Sequence, residues 1–227
     1  MLFSLIRGQL DIYSAIMEIL AILVIVFLVL PFHEWAHAFT ALKLGDTSVK
    51  YRGRLTLNPL AHIDPFGALA LLLFGFGWAK PVPIDPRNFK NPKGGMAITA
   101  LMGPVANIVA AFAGGVIYSA LLRFFPSFMI TNDIGAYIGL FFSFYISVNC
   151  SLAVFNLLPI PPLDGSKILF AFLPDRAVMW FYKYQQFISI GLIALLWLGV
   201  LSTPLSYLSG YLRVGVMWLA SLPFGLF

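Results

Sequence analysis

Three observations predict an all-α polytopic membrane protein. Hydrophobic residues make up 60% of the 227 and charged residues only 10%, where a soluble domain carries about 25% charged residues. Mean hydropathy is +0.92. Apolar runs long enough for the roughly 20 residues of a membrane-spanning helix recur along the whole chain. The net charge of +5 comes from basic residues concentrated between particular runs, which marks topology rather than a nucleic-acid surface. A lone cysteine, Cys150, excludes an intrachain disulfide. No basic stretch followed by a small-residue cleavage site opens the chain, so the first span is expected to be its own targeting signal.

The first run, Ile12 to about Leu44, exceeds one span and has Pro31 as its interior breaker. Proline cannot bond the carbonyl of Phe27, so a local kink is expected there. From Thr47 to Leu57 the pattern alternates and β-branched residues recur, which is expected to give short strands near 47–57. Phe66 to Trp78 is apolar over only 13 residues, with basic residues on both flanks. It reads as a re-entrant or partly inserted segment, broken by Gly75-Phe76-Gly77 and turned by Pro81-Val82-Pro83. Gly94 to Phe125 and Ile134 to Pro159 supply two further spans, joined by a polar link with Pro126, Asn132 and Asp133.

Pro159, Pro161 and Pro162 stop that third helix and leave Asp164 on unwound chain or at the start of a new helix. Two apolar segments, Trp180 to Leu201 and Leu205 to Phe227, complete a single integral domain over 1–227. Its core is expected at about 12–175 and its C-terminal helices at about 176–227. With the C-terminal end of the first helix in the cytosol, eleven of the fourteen Lys and Arg fall on that side and the N-terminus lies outside.

The chemistry concentrates in His33-Glu34-Trp35-Ala36-His37. Two histidines four apart share one helical face, so both imidazoles can grip one metal ion while Glu34 reaches the water beside it. Counting inward from Leu44 at 1.5 Å per residue places these histidines about 10 to 16 Å below the cytosolic boundary. An ionisable residue at such depth is costly and is functional by default. A catalytic zinc takes three protein ligands and a water, so a third ligand is needed, and the candidates are Asp164 and His62. Asp164 ends a span on the same side as the histidines, beside Gly165. It could equally cap a helix or pair with Lys167 at i, i+3. His62, next to Asp64 in a loop, could line the entrance or bind the metal in a resting form. The polar side chains offered to an extended substrate are Asn107 and Asn156, whose amides could bond a peptide backbone or a developing oxyanion. Asparagines that bond across packed helices are common in membrane bundles, and Asn107 reads both ways. Asn149 and Asn58 carry less signal.

These residues resemble the site-2 proteases, a family of intramembrane zinc metalloproteases. The resemblance rests on His33-Glu34-x-x-His37, on Asn156-x-x-Pro159-x-Pro161-x-Leu163-Asp164-Gly165, and on Gly103-Pro104-x-x-Asn107 between them. It covers most of Ile12 to Asp175. It implies one zinc per chain on His33, His37 and Asp164, Glu34 as the base, and Asn156 near the substrate. It also implies a three-helix core, residence in the cell membrane, and hydrolysis of peptide bonds in or near transmembrane segments of other proteins. The stretch from Asn58 to Pro83 is similar to the small prokaryotic branch without PDZ or CBS domains. Two other classes fit the composition: a homologue that binds membrane segments without cutting, and a metal transporter. The intact Glu34 argues against the first, since binding needs no base. The lack of an onward ladder of His, Asp or Glu through the spans argues against the second.

Overall fold

A computed structural model describes residues 11–74 and 80–226. Its described residues are mostly helical, with no strand among them, and three helices are long and apolar enough to cross a membrane: α1 (Ile12–Lys43), α5 (Pro92–Phe124) and α7 (Asp133–Asn156). Between α1 and α5 lie three short helices, α2 (Ser48–Tyr51), α3 (Pro59–His62) and α4 (Pro65–Phe74). After α5 comes α6 (Pro126–Thr131), inside the link expected to be a polar turn. Past α7 come α8 (Asp164–Phe170), α9 (Asp175–Trp197) and α10 (Ser202–Ser221). The last two meet at 82°, and they pass as a span only when taken together as one bent pair.

Helix α5 is the hub, packed by α1, α7, α8 and α10. Its buried face is built from small residues, among them Ala100, Gly103, Ala106, Ala110, Ala111, Gly114 and Gly115. Lipid tails are as apolar as leucine, so helices in a membrane gain by close van der Waals approach, which small side chains permit. Two apolar cores follow from this. Ile25, Val26 and Val29 of α1 pack on Ala110 of α5, and Ile146 and Cys150 of α7 pack on Ala111 and on Val216 of α10. A third core, Ala38, Ala41, Val49, Val82 and Phe89, joins the end of α1 to the loop that precedes α5.

The expected break at Pro31 takes a specific form. Residues Ile25–Val29 wind as a π-helix, in which Leu30 N–H donates to Ile25 O. The wider turn absorbs the donor that Pro31 lacks, and the helix resumes as Leu30–Lys43. The strands expected near 47–57 are absent: Ser48–Tyr51 is a helical turn, and a bent loop follows it. Asp46 explains the difference, because its carboxylate takes Ser48 N–H at 3.0 Å and starts a helical turn where the alternation alone suggested a strand. The inserted segment is helical, as part of α4, over its first nine residues, Phe66 to Phe74. The Gly75-Phe76-Gly77 break lies outside the described residues.

Asp46 has no exposed surface. It also accepts from Asp85 N–H and from Asn88 Nδ2, both at 2.8 Å, so it ties the segment 80–88 to the end of α1. Burial pushes its carboxyl up, but the bonds from Ser48, Asp85 and Asn88 outweigh that and hold it below the usual carboxylate value. Its contribution is therefore complete above about pH 4 and fades as the pH falls towards the lower folded value. Replacing Asp46 by Ala should cost about 3 kcal/mol by leaving three part-buried donors without their acceptor. Thermal melts in detergent should show the gap between wild type and variant shrinking below pH 4.

Candidate metal centre

The second half of α1 turns one face to α5, burying His33, Glu34, Ala36, His37, Ala38 and Ala41. Its other face carries an aromatic ladder: Phe32 stacks on Trp35 at 6.0 Å, Trp35 on Phe39 at 4.9 Å, and Lys43 lies 5.3 Å over the Phe39 ring. The periodicity that put both histidines on one side thus put bulky rings on the other.

Hydrogen bonds behind the imidazoles fix which nitrogen is free. His37 Nδ1 lies 2.7 Å from Thr99 O, and a carbonyl can only accept, so Nδ1 carries the proton. His33 Nδ1 stands 2.5 Å from Asn107 Oδ1 and donates to it, while Asn107 Nδ2 turns to Asn149 Oδ1 at 3.4 Å. Both Nε2 atoms are thereby left with lone pairs. They face each other at 3.1 Å, and Asp164 Oδ2 lies 3.1 Å from one and 3.3 Å from the other. Three acceptors with no proton between them repel unless a cation sits among them. Four ligands arranged tetrahedrally about 2.0–2.1 Å from zinc stand about 3.3 Å apart. The triangle of 3.1, 3.1 and 3.3 Å fits that set.

Two close approaches build the triangle. A Cβ on Gly103 of α5 would fall against Nε2 of both histidines. A Cβ on Gly165 would meet the Leu157 and Leu158 carbonyls, so only glycine lets α8 close on the end of α7 and deliver Asp164. Asp164 is the first residue of α8, the second of the two placements expected from the proline run. Its other oxygen, Oδ1, pairs with Lys167 Nζ at 2.9 Å, so the ligand and salt-bridge readings hold together.

Glu34 is buried, and its Oε2 accepts Val82 N–H at 3.0 Å. The extended segment around Val82 is held from behind: Lys80 N–H donates to His62 O at 2.7 Å, and Arg52 Nη1 to Pro83 O at 3.1 Å. Sequence reasoning missed this support of Glu34, because a backbone N–H leaves no residue-type signal. It also missed Thr99, whose part is played by its carbonyl.

The remaining candidates fall in different places. Asn107, which reads both as a substrate amide and as a bond across packed helices, is fully buried and bonds His33 and Asn149. Asn156 closes α7, half-buried, with Nδ2 donating to Leu152 O at 3.0 Å. His62 is fully buried with Nε2 donating to Thr56 O at 2.8 Å, and it stands outside the cluster of His33, His37 and Asp164. A resting-state ligand role for His62 gains no support from this position.

The chain is similar to known proteins. A family model described as "Peptidase family M50" matches residues 128–199, which hold α7, the proline turn and Asp164. "Putative zinc metalloprotease YwhC" of Bacillus subtilis is 41% identical over 173 residues, covering 76% of each chain. This chain belongs to peptidase family M50. Relatives in other organisms carry the same description, "putative zinc metalloprotease". Rip2 of Mycolicibacterium smegmatis is 36% identical over 59% of this chain and 49% of its own length. MJ0611 of Methanocaldococcus jannaschii is 33% identical over 61% of this chain and 63% of its own. No solved structure matches the chain. As an M50 member it is a zinc metallopeptidase of the site-2 type and a multi-pass membrane protein.

Gly103→Ala should force the imidazoles off their shared point. The expected result is a loss of zinc affinity of roughly 5- to 150-fold, from an overpacking cost of about 1–3 kcal/mol. Zinc content after dialysis, with helicity by circular dichroism as the control, checks it.

Proposed function

We infer that this protein hydrolyses peptide bonds in or near transmembrane segments of other membrane proteins. The observation that carries this reading is the convergence of two Nε2 lone pairs and one carboxylate oxygen beside a buried glutamate on an apolar helix. In this reading His33, His37 and Asp164 hold one zinc per chain, and residues 1–227 form one protease domain. When bound, zinc activates water near neutral pH and polarises the scissile carbonyl.

The chain's own residues do the rest. Glu34 takes the proton from the attacking water and returns it to the leaving amine. Val82 N–H fixes Oε2, which leaves Oε1 for that exchange. Asn107 orients His33 rather than touching substrate, and Thr99 does the same for His37. Asn156, at the end of α7 with its Nδ2 donating to Leu152 O, is the side chain proposed to bond an unwound substrate. A substrate helix must unwind first, because its carbonyls are otherwise held in its own ladder.

Lys43, Lys50, Arg52, Arg54, Lys80 and the other basic residues between spans support a centre nearer the cytosolic face of the cell membrane, with the N-terminus outside.

Glu34→Gln should keep zinc and lose at least about a thousandfold in cleavage, in keeping with the loss of a general base and its positioning. The test is cleavage of single-span reporter segments in liposomes by wild type, Glu34→Gln and chelator-treated protein. Loss in both controls supports the protease. Retention of function by Glu34→Gln with zinc bound would favour a binding protein or a transporter.

A further inference from the structure

Lys167, the salt-bridge partner of Asp164, has surroundings of its own. Its carbon stem lines a cavity of about 170 Å³ whose walls include Pro92, Met96, Phe170, Val178 and Tyr182. That lining is apolar, so the stem is held while the ammonium must find a polar partner. The partner is Asp164 Oδ1 at 2.9 Å. Lys93 lines the same cavity but is committed elsewhere, to Asp175 Oδ1 and to Leu173 O, both at 2.8 Å. The Lys167 side chain keeps 32% of its surface exposed, against 9% for Asp164.

A carboxylate can bind a metal through one oxygen or through two. Two-oxygen binding by Asp164 would occupy space that a three-ligand centre leaves open for water. In this protein Oδ2 faces the histidines, and Oδ1 is turned away and held by the ammonium. The i, i+3 spacing makes the hold rigid, because both residues ride on the same short helix, α8. We propose that Lys167 is a positioning residue that locks Asp164 into single-oxygen ligation and so keeps the fourth coordination position open. The inference rests on the metal-centre reading above.

The test compares wild type, Lys167→Met, Lys167→Arg and His33→Ala in detergent, in zinc competition against a chelator and in cobalt substitution. Lys167→Met should bind zinc about 10- to 100-fold more weakly, the usual range for losing an orienting partner. Its cobalt form should shift from a strong four-coordinate to a weak five-coordinate visible spectrum, and its kcat should fall with KM little changed. Lys167→Arg should restore the spectrum and most of the affinity. Unchanged zinc affinity and an unchanged cobalt spectrum in Lys167→Met would overturn the proposal. Loss of the fold in both Lys167 variants would also overturn it, since the pair would then be a structural brace. If His33→Ala binds zinc as wild type does, the metal-centre reading itself fails, and that outcome is separate from the others.

Discussion

Two imidazole lone pairs and a carboxylate oxygen held 3.1 to 3.3 Å apart form an arrangement that repels itself in the absence of a positive charge. The fold meets that repulsion from three directions. Helix α1 supplies both rings, α5 supplies the acceptors behind them through Thr99 and Asn107, and α8 brings the carboxylate. Each ring would swing away to a better partner if its Nδ1 were free. The tautomer-fixing bonds are what make the convergence permanent, and they oblige α5 to run close against α1. That closeness in turn requires Gly103 where any other residue would place a Cβ among the ligands.

The same constraint shapes the chain outside the spans. Irregular backbone packed against protein must have its N–H and C=O groups paired. The segment 80–85 meets the condition through Glu34, Asp46, Arg52 and the His62 carbonyl. Asp85 at its far end is held down to about 2 by Arg87, first through the side-chain bond and then through the Arg87 backbone N–H. A loop with four separate anchors is a stiff one. Its stiffness reaches Glu34 through a single N–H, that of Val82.

Much of this was readable from residue types. The two-histidine face and the three spans follow from periodicity and hydropathy and stand in the structure, while proline placement left Asp164 on unwound chain or at a helix start, of which the structure has the second. Readings failed where the deciding group was backbone or where two local rules competed. The alternation near 47–57 lost to Asp46, whose carboxylate nucleates a turn only because Asp85 and Asn88 bury it from the other side. That is a contact 39 to 42 residues away, beyond any local pattern. Asn107 was legible as important but not in direction, because an amide on an apolar helix looks the same whether it faces a neighbour or a cleft. The π-helix before Pro31 was legible only as a break.

Charge balance narrows the kind of ion the site suits. With the proton of each ring on Nδ1, His33 and His37 enter neutral, while Asp164 and Glu34 bring two carboxylates into a region where both are buried. Uncompensated charge there costs several kcal/mol per ion. Lys167 offsets part of it, but from the rim, where its side chain stays in partial contact with solvent. A monovalent ion would leave the buried set negative, whereas a dication brings the two imidazoles and two carboxylates to neutrality. Nitrogen ligands favour zinc over the hard dications, which prefer oxygen. The neutral Asn107 behind His33 belongs to the same balance: a carboxylate in its place could also orient the ring, but it would add a third buried negative charge.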